Sequence, residues 1–136
     1  MKFKFIEHTA DVGVEAYGKN LEESFSNTAL GLFEVMSNTK KVKETKKILI
    51  EIKSENIESL LYDFLEKFLI IHDAENLVFA RVDVKKIIKG KECSLEAEAF
   101  GEEFNSKKHE ERSVVKAITY QRMKVTPKKI FVLLDI

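Results

Sequence analysis

The sequence predicts an α+β fold in which two amphipathic helices pack on a mainly antiparallel sheet. Apolar and polar residues alternate near the start of the chain and again after residue 76, which is strand spacing. Two stretches between them repeat apolar residues every three or four positions, which is helical spacing. The 136 residues, 44% of them hydrophobic and 34% charged, are typical of one globular domain, so we predict a single domain over residues 1–136.

The first half of the chain contains two strands, a helix, a third strand and the start of a second helix. Residues 2–7 and 12–17 alternate as strands and flank a polar turn. Asn20 caps the first helix, and Glu23 three residues later completes a variant of the capping box. The apolar repeat gives this helix about 16 residues. After a basic loop, the segment ILIEIK (48–53) reads as the third strand.

The second half of the chain consists of the second helix and four strands. Either Ser54 or Asn56 caps the helix, whose apolar stripe faces the core. The stripe consists of Leu60, Leu61, Phe64, Leu65, Phe68 and Leu69. From residue 77 the spacing changes to two, and short turns separate the remaining strands. Since short turns force antiparallel pairing, we expect these four strands to form a meander.

Composition and charge argue against several classes of protein. Lys plus Arg and Asp plus Glu are both 23, so no overall field draws the chain to nucleic acid or to a membrane, and any RNA contact is expected to be local or indirect. No apolar run approaches the roughly 20 residues of a membrane span. The single Cys93 has no disulfide partner within the chain, and no secretion signal is visible. We therefore expect a cytoplasmic protein.

The common catalytic motifs are missing from the sequence. It has no phosphate-binding glycine loop, no nucleophile elbow, no C-x-x-C and no H-E-x-x-H. Three histidines and one cysteine supply few groups for a nucleophilic triad or a soft-metal site. A self-contained enzyme is therefore the weaker hypothesis.

Two carboxylates occupy unusual places. Asp11 lies in the turn between the first two strands, and Asp135 precedes the final residue at the end of an apolar strand. If the turn and the last strand meet, Asp11, Asp135 and the α-carboxylate of Ile136 offer three hard oxygen ligands to calcium or magnesium. The alternative is that Asp11 caps its turn and that the C-terminal charge lies in water, which spacing alone favours.

Five further polar residues are candidates for supporting such a site. His8 could supply a nitrogen ligand or a hydrogen bond to a ligand, and Thr9 could orient the turn. Glu102 and His109 lie in or beside a charged loop that could contact a partner, although such loops are usually just solvated. Lys116 could pair with the acidic site, and a plain surface lysine is its alternative.

Four segments together resemble the archease family. They are EHTADVGVEAYGKNLEESFSNTALGLFEVM, SLLYDFLEKFLIIHD, FGEEFNSKKHEERSVVKAITYQRMKV and the terminal FVLLDI, in that order. The resemblance implies a small α+β protein that activates the RtcB-type tRNA-splicing RNA ligase, acting like a chaperone that promotes guanylylation and multiple turnover. It implies a protein that is an activator of an enzyme and not an enzyme itself. It also implies a calcium site formed by Asp11, Asp135 and Ile136. Gln121 and Asn105 depart from the family pattern, where histidine and aspartate are common.

Two other functions are compatible with the residues. One is a small metal-dependent phosphoester hydrolase that uses Asp11, His8 and Asp135 around an ion, although no positioned acid or base accompanies them. The other is a binding module whose metal is only structural. Steady hydrolysis of phosphoesters by the purified protein would favour the first of these.

Overall fold

The computed structural model describes residues 1–7 and 10–136, so the predictions for His8 and Thr9 lie outside the described residues. The described residues form seven strands, two α-helices and one short 3₁₀ turn. In chain order they are β1 (Phe3–Glu7), β2 (Asp11–Tyr17), α1 (Leu21–Met36), the 3₁₀ turn (Thr39–Lys41), β3 (Lys46–Ser54), α2 (Ile57–Glu75), β4 (Leu77–Ile88), β5 (Cys93–Glu103), β6 (Ala117–Val125) and β7 (Lys129–Asp135). The predicted α+β class is confirmed.

The strands form two antiparallel sheets instead of the one sheet that the sequence suggested. One sheet has the order β1-β2-β7-β6 and the other has the order β3-β5-β4. The expected meander of four consecutive strands is therefore wrong, because β5 pairs with β3 and β4 while β6 pairs with β7. The 13 residues 104–116 separate β5 from β6 and let the chain change sheets.

Both helices begin where the capping residues predict. The Asn20 side chain accepts a hydrogen bond from the Glu23 backbone N–H at 2.8 Å, and α1 has the predicted 16 residues. Asn56, rather than Ser54, caps α2 through a reciprocal box with Ser59. Such caps satisfy backbone N–H groups that the first helical turn leaves without partners.

The core lies between the two sheets, where each helix contacts strands of both. Its centre is aromatic: the rings of Phe33, Phe68 and Phe79 pack edge to face, with centroids 4.9 to 5.4 Å apart. All three are almost completely buried. Since each buried aromatic ring removes a large apolar area from water, this cluster couples α1, α2 and β4. Within the described residues, neither helix is long and apolar enough to cross a membrane.

The segment 104–116 also closes the C-terminal end of α1. The backbone N–H groups of Arg112 and Ser113 donate to the carbonyls of Met36 and Val35, at 3.0 and 3.1 Å. The last carbonyls of a helix have no partner inside the helix, so this distant segment satisfies them. The segment therefore runs directly over the end of α1 before it enters β6.

Candidate metal centre

The pairing of β2 with β7 brings the two predicted carboxylate residues together. Asp11 is the direct cross-strand partner of Asp135. The backbone N–H of Ile136 donates to the carbonyl of Ala10 at 3.2 Å, so the last residue lies beside the residue that precedes Asp11. A site shared by Asp11, Asp135 and Ile136 requires the two strands to pair in this way. Metal binding itself stays a prediction.

The Asp11 side chain places a buried oxygen atom at this end of the sheet. Its Oδ1 atom is buried and has no hydrogen-bond partner among the described residues. A buried oxygen without a partner is costly, and a hard cation is one group that satisfies it. Asp11 and Ile136 line a cavity of about 360 Å³. The oxygen donors present therefore fit a calcium or magnesium ion.

Histidine, cysteine and carboxylate side chains alone do not complete such a site in the described part of the chain. No group of three or more of them is placed to hold a metal there. Asp11 and Asp135 are cross-strand partners at this end of the sheet, and Asp11 is the one of the two that lines the cavity. A full ligand set thus depends on the α-carboxylate of Ile136, on backbone oxygens or on water.

An ion pair that the sequence analysis did not anticipate forms part of the cavity wall. Arg112 and Glu34 both line the cavity, and the Arg112 guanidinium donates to the Glu34 carboxylate at 2.8 Å and to the Glu34 carbonyl at 2.9 Å. Arg112 also pairs with Glu110. Burial alone would lower the pKa of Arg112, but the two carboxylates outweigh it and raise that pKa. This part of the cavity wall is therefore an ion pair anchored to α1.

Lys116 contacts the site through its backbone. Its N–H donates to the carbonyl of Asp135 at 2.7 Å, which fixes the end of β7 against the start of β6. The Lys116 residue itself is exposed. No ion pair between its side chain and a carboxylate occurs among the described residues. The predicted pairing of the lysine charge with the acidic site remains a prediction.

Glu102 and His109 form a separate, buried cluster. The His109 ring accepts a hydrogen bond at Nδ1 from the Asn105 backbone N–H at 2.8 Å. Because Nδ1 accepts, the proton is on Nε2, which donates to Glu102 Oε2 at 2.8 Å, and the ring is neutral. His109 is only 4% exposed. These contacts give His109 a structural role in its loop, and neither residue lines the Asp11 cavity.

The Glu102 carboxylate is held ionised by several donors. Lys108 Nζ lies 2.7 Å from its Oε1, and the Lys43 backbone N–H donates to Oε2 at 2.7 Å. Burial by itself would raise the pKa of Glu102, but the hydrogen bonds from Lys108, Lys43 and His109 lower it to about 2. The cluster therefore ties β5, the segment before β3 and the loop after β5 together around one negative charge.

Comparison with known proteins identifies the family. A model of the Archease protein family matches residues 3–136. The chain belongs to the archease family. The Protein archease of Thermococcus kodakarensis is 48% identical over 124 residues, which cover 91% of this chain and 87% of the relative. The Protein archease of Sulfurisphaera tokodaii is 45% identical over 127 residues, covering 93% and 90% of the two chains.

A solved archease-like structure has the same fold. The solution structure of Methanobacterium thermoautotrophicum Protein 1598 superposes with a TM-score of 0.81 at 40% identity, and the match covers 98% of each chain. The resemblance to archeases inferred from the sequence is thus confirmed. Membership of the archease family is consistent with an accessory protein.

Proposed function

We propose that the protein is an accessory, chaperone-like activator of an RtcB-type tRNA-splicing RNA ligase, and that it promotes guanylylation and multiple turnover of that ligase. The observation that carries the proposal is the meeting of Asp11 and Asp135 across β2 and β7, with a buried Asp11 oxygen that has no partner among the described residues. Archease relatives of similar length support an accessory role. RNA takes part only indirectly, through the ligase.

The proposed site holds calcium, although magnesium or another divalent cation suits the same oxygen donors. Asp11, Asp135 and the α-carboxylate of Ile136 would be its protein ligands. When bound, the cation supplies positive charge that offsets the carboxylates facing each other at this end of the sheet. His8 and Thr9 follow β1 directly in the sequence, and we propose that they orient the connection that leads to Asp11 at the start of β2.

The residues of the chain would act on the ligase by selecting one of its conformations. A surface that binds the guanylylation-competent conformation more tightly than the resting one shifts the ligase population toward it. The acidic end of β2 and β7 is the surface proposed for this contact. Glu102 lies near the end of β5, and Lys116 is the last residue before β6. The charged loop between these two residues gives the proposed contact a second polar region.

The test is a guanylylation assay with purified ligase, GTP and either the native protein or a variant. Asp11→Ala and Asp135→Ala should abolish stimulation while their far-ultraviolet circular dichroism spectra remain native. Glu92→Gln, which removes an exposed carboxylate in the turn between β4 and β5, is the control and should stimulate normally. If either aspartate variant stimulates at the native rate, the proposed site mechanism is wrong.

Two further measurements separate the proposal from its alternatives. Phosphoester hydrolysis by the protein alone, lost in Asp11→Ala, would instead indicate a metal-dependent hydrolase. Loss of the folded state on chelation, with the same loss of folding in Asp11→Ala and Asp135→Ala, would indicate a purely structural metal. Calcium titration of the native chain and of one extended beyond Ile136 tests the terminal carboxylate, because an extension removes that group.

A further inference from the structure

A pair of stacked tyrosines lies on the surface where α2 packs against β6. The rings of Tyr62 on α2 and Tyr120 on β6 are nearly parallel, at an angle of 9°, with centroids 4.5 Å apart. Tyr62 covers one face of the Tyr120 ring, yet 52% of the Tyr120 residue remains exposed. The second face of this ring is therefore open to water while the first holds it in place.

A distortion of β6 presents this ring at the edge of the four-stranded sheet. Pairing with β7 is in register at Thr119 and again at Lys124, so residues 120–123 face a single residue of β7. Within that bulge Arg122 has φ of 58°, a left-handed conformation that is unfavourable for a residue other than glycine. Bulges redirect side chains and disturb regular pairing. Here the bulge begins at Tyr120.

Carboxylates of α2 and of the residue just before its cap lie near enough to act on the Tyr120 hydroxyl. Burial raises the pKa of the Tyr120 hydroxyl, and the negative charges of Asp63, Glu66 and Glu55 raise it further, together with Tyr62. Asp63 accepts a hydrogen bond from the Ser54 hydroxyl at 3.0 Å. No ion pair of the described residues includes Asp63, Glu66 or Glu55. We call Tyr62, Tyr120, Glu55, Asp63 and Glu66 the tyrosine patch.

The other sheet of the same protein shows which group such a combination accommodates. There the Arg81 guanidinium lies 3.9 Å from the centroid of the Phe100 ring and donates to the Glu44 carboxylate at 3.0 and 3.1 Å. An aromatic face with a nearby carboxylate thus holds an arginine of the chain itself. At the tyrosine patch the aromatic face and the carboxylates are present, and among the described ion pairs no cation of the chain joins them.

We propose that the tyrosine patch docks an arginine side chain from a basic segment of a partner protein. The planar guanidinium stacks on the open face of Tyr120, and its N–H groups donate to the Asp63 and Glu66 carboxylates. Lysine satisfies this arrangement less well, since an ammonium group does not stack. Stacked aromatic rings also bind single-stranded nucleic acid, but the three carboxylates repel its phosphates, so a basic protein segment is the better occupant.

Fluorescence anisotropy of labelled peptides tests the proposal on the full-length protein. The probes are a glycine-spaced peptide with four arginines, the same peptide with four lysines, and an oligouridine of ten nucleotides. We expect the arginine peptide to bind saturably and more tightly than the lysine peptide. Tyr120→Leu and the double variant Asp63→Asn/Glu66→Gln should each weaken arginine binding about three- to tenfold, as lost stacking and lost ion pairing predict.

Matched variants separate docking from a general effect of charge or folding. Tyr120→Phe keeps the ring and should retain arginine binding, which Tyr120→Leu loses. Glu51→Gln/Glu96→Gln removes two exposed carboxylates that face each other on β3 and β5, and it should change binding by less than twofold. The proposal is overturned if this control loses as much arginine-peptide binding as the patch variants, or if Tyr120→Leu binds the peptide as the native protein does. It is also overturned if the native protein shows no saturable binding at millimolar peptide. Tighter binding of oligouridine than of the arginine peptide, lost in Tyr120→Leu, overturns it in favour of nucleic acid.

Discussion

Removing the Asp11 carboxylate should stabilise the protein without metal and destroy its response to metal. In Asp11→Ala the buried oxygen without a described partner disappears, and so does the charge that faces Asp135. A buried unsatisfied polar atom costs about 1–3 kcal/mol, and like charges directly opposite in a sheet add to that cost. Some packing is lost with the side chain, so we expect a net gain of about 1–2 kcal/mol in the free energy of unfolding.

In calcium, the native protein should be more stable than Asp11→Ala. An ion present at a hundred times its dissociation constant stabilises the folded state by about 2.7 kcal/mol if it does not bind the unfolded chain. The native protein should gain this amount and Asp11→Ala should gain almost none. The more stable protein in chelator therefore becomes the less stable one in calcium.

Thermal unfolding followed by circular dichroism measures both effects. For a domain of this size, 1 kcal/mol corresponds to roughly 4 °C in Tm, so Asp11→Ala should melt about 4–8 °C above the native protein in chelator. In saturating calcium the native protein should melt higher. Glu92→Gln, with an equal change of charge in an exposed turn, should follow the native protein in both buffers. A lower Tm for Asp11→Ala in chelator would show that the buried oxygen of Asp11 does not destabilise the fold. An undiminished calcium shift in this variant would show that Asp11 is not a ligand.

Three further changes test other parts of the structure. Glu102 has its pKa lowered to about 2 in the folded state, so its stabilising effect is complete above pH about 4.5 and is lost as pH falls toward 2. Denaturant titrations should therefore show Glu102→Gln less stable by about 1–3 kcal/mol at pH 7, with the difference shrinking in acid; a constant difference would contradict this. Arg112→Met should lower stability by about 1–2 kcal/mol and speed amide exchange at the end of α1, whereas Arg122→Met should do neither. Phe68→Ala should cost about 3–5 kcal/mol in a urea titration, against less than 1 kcal/mol for Leu49→Ala, which is 69% exposed; similar costs would show that the aromatic cluster is not central.

Local patterns predicted the helices because their signals are local. Asn20 and Asn56 each bond to a backbone N–H three residues away, so a short window of sequence contains the complete interaction. The division into two sheets had no such signal. The alternation of apolar and polar residues identifies β5 and β6 as strands, but it does not specify whether the two strands pair with each other. The segment between them bonds to the end of α1 and leads the chain from one sheet to the other.

The candidate site was predictable only where unusual positions in the sequence suggested it. Asp11 and Asp135 stood out because a carboxylate is unusual at the end of an apolar strand. A shared metal site required the two residues to lie close together, and they are paired across β2 and β7. Arg112 and Glu34 gave no such signal. Arg112 lies in a run of charged residues, and its position at the cavity follows from backbone bonds to a helix far away in sequence. His109 was expected in a solvated loop, but its ring is buried. Burial is tolerated because both ring nitrogens have hydrogen-bond partners.

The position of β7 between β2 and β6 has a consequence for how the molecule folds. The last strand in the sequence is an inner strand of its sheet, and without it β1 and β2 form only a hairpin while β6 has no partner in that sheet. Joining β2 to β7 closes nearly the longest loop the chain can form, so its entropic cost is high and its contacts are expected to form late. Asp11 and Asp135 should therefore come together near the end of folding, and early intermediates should lack the proposed cation site.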